Sequence, residues 1–209
     1  MAGGDIAFVP EFSNDLIIAG DFPKNTLISP SIPGRRIQGW QAQPLQKENE
    51  NSERLFVLQN PDGKPLFKLV SGLVSQKISR AILAQELRNP RAGQFTLEAT
   101  LKLSTGLNLP EKTSASLIFY GYLDGRNKNL ANTREFQRIP FVFESGRAKA
   151  SLVQRLRSQD DGASEIERGV GVMIIVETAS LPESSLVDLT VESVTVRFDP
   201  RPRDENVTV

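Results

Sequence analysis

Between Gln94 and Ser104 the chain reads QFTLEATLKLS, and apolar and polar residues alternate without an exception. Phe95, Leu97, Ala99, Leu101 and Leu103 form one set, and Gln94, Thr96, Glu98, Thr100, Lys102 and Ser104 form the other. A period of two places each set on its own face of a pleated strand. A helix would need residues three apart to share a class, and here they never do. One oily and one wet face is the mark of an antiparallel sheet packed on a core.

The same pattern predicts further strands along the chain. Asp15–Gly20 reads as a first strand, closed by Gly20-Asp21-Phe22-Pro23. Residues 24–36 carry Pro30, Pro33 and Gly34 and read as loop. Gly39-Trp40-Gln41 is a short extended piece, and Gln43–Glu53 is a polar, exposed excursion. Arg54–Gln59 and Pro65–Val70 are strands joined by the turn signal Asn60-Pro61-Asp62-Gly63. Ile78–Arg88 fits helix or strand by pattern, and the turn at Asn89-Pro90-Arg91-Ala92-Gly93 leading into Gln94 favours strand.

Ser114–Leu123 divides Ala115, Leu117, Phe119 and Gly121 from Ser116, Ile118, Tyr120 and Tyr122. Glu135–Glu144 is a strand that Pro140 demotes to an edge or bulge. Lys149–Leu156 follows, then a polar loop over Arg157–Gly169. Val170–Val176 is apolar on both faces and belongs at the centre of a sheet. In Leu186–Phe198 the alternation slips by one residue at Glu192-Ser193, as a β-bulge requires. About ten strands with turn signals between them and little or no helix predict an all-β, antiparallel sandwich. The expected division is an N-terminal lead over 1–13, one β-sandwich domain over 14–199 and a charged, proline-rich tail over 200–209.

Composition narrows the chemistry. The 209 residues carry 25 basic and 25 acidic side chains, so the basic excess typical of nucleic-acid binders is absent and no nucleic-acid partner is expected. No run of apolar residues is long enough for a membrane-spanning helix, and the first residues lack the basic and apolar regions of a signal peptide. Cysteine and histidine are both missing. Disulfides, thiolate or imidazole zinc sites and every Ser–His or Cys–His nucleophile pair are thereby excluded. Carboxylate-pair, serine–lysine or threonine chemistry remains formally open. Asp160-Asp161 precedes Gly162 in a polar loop and reads as a turn, while Glu165 and Glu167 read as solvated charge. Gly169-Val170-Gly171 has no following helix to make it a phosphate cradle.

The order of landmarks resembles the galactose-binding-like jelly roll, in particular the carbohydrate-binding modules that flank bacterial glycoside hydrolases. The residues that carry the resemblance are Ala19-Gly20-Asp21-Phe22, Gly39-Trp40, Ala84-Gln85, the run from Ala92 to Ala99, and Val191-Glu192-Ser193-Val194-Thr195-Val196. It implies a non-catalytic module that recognises a carbohydrate or similar polyol, and an extracellular or cell-surface setting. It also implies a structural calcium, for which Asp21 and Glu192 are the matching acids, although Pro23 stands where the family has a further Glu.

Sugars stack on exposed aromatic rings beside carboxylate, amide and guanidinium partners. Tyr120 and Tyr122 share a strand face at the right spacing, Trp40 lies near a loop, and Glu98 and Arg138 fall on the less apolar faces of their strands. These five are the candidate ligand-binding residues. Against them, one Trp and two Tyr are few for a polysaccharide binder, and the eleven Phe read as core. The alternative is a structural or protein-interaction jelly roll of an extracellular, cell-surface or viral assembly, with no small-molecule ligand. An enzyme using two carboxylates is a third reading.

Overall fold

The computed structural model describes residues 16–32, 39–46, 55–59, 62–69, 79–104, 106, 108–126, 128–157, 166–179 and 187–200. The predicted lead over 1–13, the tail beyond Pro200 and the Asp160-Asp161 turn lie outside them. Twelve strands form two sheets of six. The first sheet runs β1 (Ile28–Pro30), β2 (Trp40–Gln43), β6 (Ser79–Glu86), β11 (Val170–Thr178), β8 (Thr113–Tyr122) and β9 (Thr133–Pro140). The second runs β10 (Arg147–Leu156), β7 (Gly93–Leu103), β12 (Val187–Asp199), β5 (Pro65–Leu69), β4 (Leu55–Gln59) and β3 (Leu45–Gln46). From β5 to β12, the order β5-β12-β7-β10 faces β6-β11-β8-β9, which is the double Greek key of a jelly roll. The expected antiparallel pairing holds except at β1 with β2 and β3 with β4, which are parallel.

Strand β7 shows why the sheets close on one another. Its burial alternates along its length, with Phe95, Leu97, Ala99 and Leu101 inside. In register, Leu97 lies between Leu152 and Val196, Ala99 between Ala150 and Val194, and Leu101 between Ala148 and Val191. The phase slip in β12 is a bulge between Val191 and Ser193 that keeps Val194 and Val196 on the core side. Across the gap, Phe95 packs on Phe119 of the first sheet at 5.4 Å. Strand β11 is buried on both faces: Val172, Ile174 and Val176 meet the core, and Met173 and Ile175 meet a separate apolar cluster on the sheet's far side. Pro140 closes β9, which is the edge of the first sheet and exposes Arg134, Glu135, Gln137 and Arg138. Charges and proline on an edge discourage pairing with another chain.

The first predicted strand is not one. Residues 16–20 form turns and bends, and Ala19 and Phe22 take left-handed φ values of 52° and 51° that interrupt an extended chain. One side-chain amide and isolated backbone bonds hold this segment where a ladder would. The inward Gln85 amide accepts from Ile18 N at 2.6 Å and donates to Ile18 O at 3.1 Å. Arg88 N donates to Leu16 O, and Val194 N donates to Gly20 O at 2.7 Å. Gly20 lies so close to the Val194 carbonyl that a Cβ would collide with it. Replacing Gln85 with alanine leaves both polar groups of Ile18 unmatched, at a cost of about 1–3 kcal/mol. Chemical denaturation of Gln85→Ala is expected to show that loss, with faster amide exchange at Ile18. Unchanged stability and exchange would remove Gln85 from this role.

Candidate functional site

The five expected ligand residues do not converge. Trp40 is interior: it is 1% exposed, its ring centroid lies 4.9 Å from that of Phe22, and its Nε1 donates to Ala19 O at 3.1 Å. Glu98 points outward from the second sheet, where Lys149 and Arg197 on the flanking strands approach it at 3.4 and 3.8 Å. Tyr120, Tyr122 and Arg138 lie on the outer face of the first sheet, across the sandwich from Glu98. Arg138 is occupied by Glu135 and Glu177, each at 3.1 Å.

The two tyrosines are on the predicted face but closed to solvent, at 0% and 2% exposure. They belong to the far-side apolar cluster with Ile82, Ala84, Ile118, Leu130, Met173 and Ile175. Their rings meet edge to face at 5.4 Å, a geometry worth about 0.5–1.5 kcal/mol beyond area burial. Their hydroxyls are 3.3 Å apart. Lys128 lies over the Tyr122 ring at 5.4 Å and pairs with Glu86 at 2.5 Å. Gly171 makes room for the Tyr120 ring, which a Cβ there would strike. The expectation of an open aromatic platform is therefore corrected. Alternation identifies a face, but strand β11 supplies apolar residues to both of its sides, so that face is buried as well.

Burial, followed by the neighbouring Tyr122 and then Glu86, pushes the Tyr120 phenol well above its usual value of 10.0.

Asp21 and Glu192 do not assemble a cation site with a further acid. Among the described residues no three acidic side chains gather, Asp21 is exposed, and Glu192 pairs with Arg147 at 3.7 Å. Calcium takes six to eight oxygen ligands, so this donor set does not fit it.

Among the described residues an open concavity lies elsewhere, at the sandwich end where the landmark residues meet. A cleft of about 290 Å³ is lined by Ile18, Ala19, Pro23, Lys24, Asn25, Thr26, Leu27, Gly39 and Trp40. Trp40 thus contributes to a wall while its ring stays in the core. The 23–28 segment is pinned from below. Thr26 N and Oγ1 donate to Pro23 O, Gln59 Nε2 donates to Thr26 O, and Ile28 N donates to Gln59 Oε1 at 3.4 Å. Gly63 of the β4–β5 turn lies against the Pro23 carbonyl, where a side chain would not fit. Ala19, Phe22, Asn25 and Gly39 all have positive φ around this cleft, and Asn25 reaches 76°. Of these, Ala19 and Phe22 are residue types that adopt this conformation only where the surroundings impose it. Leu27 is 80% exposed on the rim.

Sequence pattern does not single out Lys24, Asn25 or Leu27, because residues 24–36 read there as plain loop.

No protein-family model matches the chain. No curated protein matches its sequence. Among solved structures it is similar to TmCBM61, solved in complex with β-1,4-galactotriose (TM-score 0.41, 12% identity, covering 89% of this chain and 96% of that one). It is also similar to the xylan-binding module CBM15 (TM-score 0.41, 11% identity, 83% and 99%). A third likeness is to the enzymatically active domain of tailspike protein 4 of bacteriophage CBA120 (TM-score 0.40, 11% identity, 75% of this chain and 19% of that one). Likeness at this level is silent on ligands.

Two measurements probe these assignments. Of the two tyrosines, Tyr120 is expected to yield tyrosinate absorbance only on unfolding. Its raised native pKa implies no stability penalty below pH 10, where both states hold the proton. Stability falls as pH rises past 10, because only the unfolded phenol then ionises. Titration of Tyr120 near pH 10 in the folded protein would contradict the burial. Thermal melting with calcium and with a chelator is expected to give superimposable curves, and a shift on chelation would restore Asp21 and Glu192 as ligands.

Proposed function

We propose that this chain is a non-catalytic binding module for a carbohydrate or similar polyol, and that the ligand enters the cleft between Ile18–Leu27 and Gly39-Trp40. The observation that carries this reading is the cleft itself: apolar walls from Ile18, Pro23 and Leu27, polar groups of Lys24, Asn25 and Thr26, and a backbone held rigid by Gln59 and Gly63. A pyranose offers C–H surface on its faces and hydroxyls on its edge, and a few fixed polar groups on an apolar concavity suit that combination. The volume is at the small end for ligand pockets, which fits one sugar residue better than a long chain segment. Non-catalytic action accords with a chain without His or Cys, and with carboxylates such as Glu86, Glu98, Glu135, Glu177 and Glu192 engaged by Lys or Arg.

A second reading, the structural or protein-interaction jelly roll, draws on the outer face of the second sheet. There Thr96, Glu98, Thr100 and Lys102 lie on the solvent side, away from the tyrosines. A glycan array followed by NMR titration of hits separates the two. The first reading expects amide shifts confined to residues 18–27, 39 and 40, with weakened binding in Leu27→Asp. An array without hits, together with a protein partner whose binding is abolished by Glu98→Arg, would replace it with the second.

A further inference from the structure

We infer that the cleft prefers a carboxylated sugar, such as a uronic acid, over its neutral counterpart, and that Lys24 sets this preference. The inference rests on the cleft being the ligand site. Lys24 is the one charged side chain among the nine lining residues. It makes no salt bridge with a described residue, whereas Lys128, Lys149, Arg138, Arg147 and Arg197 all face carboxylates. Asp21, the acid closest in sequence, is exposed and does not line the cleft. A ligand carboxylate is therefore offered an ammonium that no lining acid neutralises.

Two features favour that pairing. The side chains of Ile18, Pro23 and Leu27 beside it are apolar and offer a ligand carboxylate no competing polar partner. The backbone on either side is fixed, by Asn25 in its left-handed conformation and by Pro23, whose carbonyl accepts from Thr26. The stem of Lys24 thus starts from a defined position, although its ammonium stays in solvent. For an ammonium that stays in solvent, the expected preference for the acid is about two- to fivefold.

The test is calorimetric or NMR titration with methyl β-glucuronide and methyl β-glucoside, on the intact chain and on Lys24→Gln. Lys24 is exposed and unpaired among described residues, so the variant is expected to melt with the parent protein. The parent should bind the glucuronide about two- to fivefold more tightly than the glucoside, with an advantage that shrinks at high salt. Lys24→Gln should lose that preference and bind the two sugars equally, whatever its affinity for the glucoside. If the parent binds both sugars alike, or if Lys24→Gln keeps the preference, the role of Lys24 is overturned while the cleft stands as the site. If neither sugar perturbs the cleft residues, both the acid preference and the site fall.

Discussion

The strictly alternating apolar face of β7 must be covered, and covering it determines the rest of the sandwich. Five apolar side chains on one side of a central strand cannot be buried by a single neighbouring sheet edge, so a second sheet has to close over them. Strands β10 and β12 bring small and branched residues into register with them, and the first sheet supplies Phe119, Leu117 and the inner half of β11 from across the gap. The bulge at Glu192 follows from the same demand, because without it Val194 and Val196 would point to solvent.

Covering the core leaves its end open, and the N-terminal turn closes it. Gln85, Trp40 and the Val194 amide reach Ile18, Ala19 and Gly20 from β6, β2 and β12, three strands far apart in sequence. The landmarks Ala19-Gly20-Asp21-Phe22, Gly39-Trp40, Ala84-Gln85 and Val191–Val196 therefore share a physical task. They dock a segment that has no ladder partner. The cleft is a by-product of that docking, since a chain forced through left-handed conformations at Ala19, Phe22 and Asn25 cannot lie flat against the sheet.

Strand positions were legible because alternation is local. β6, β7, β8 and β11 fall within a residue or two of their expected bounds, and β11 was expected to be buried on both sides. Two short strands were not legible, β1 in a proline-containing loop and β3 in a polar excursion, because each is held by a parallel neighbour and not by its own pattern. Residues 15–20 deceived for the opposite reason: an apolar run looks like a strand even when a side-chain amide replaces the ladder. The candidate site was much less legible. The parity of Tyr120 and Tyr122 was right, their exposure was not, and Lys24 and Asn25 carried no pattern at all.

By itself, then, the sequence determined the all-β class, the strands that form the sandwich core, the bulge in β12 and the absence of any histidine or cysteine chemistry, since each is a property of neighbouring residues or of composition. Only the tertiary structure decided which faces are open. Whether an aromatic ring meets water depends on what lies over it, and Glu98 and the tyrosines, read as possible partners in one site, stand on opposite sides of the sandwich. The cleft is a long-range matter too, because its walls come from two loops that meet only when Trp40, Gln59 and Gly63 hold them together.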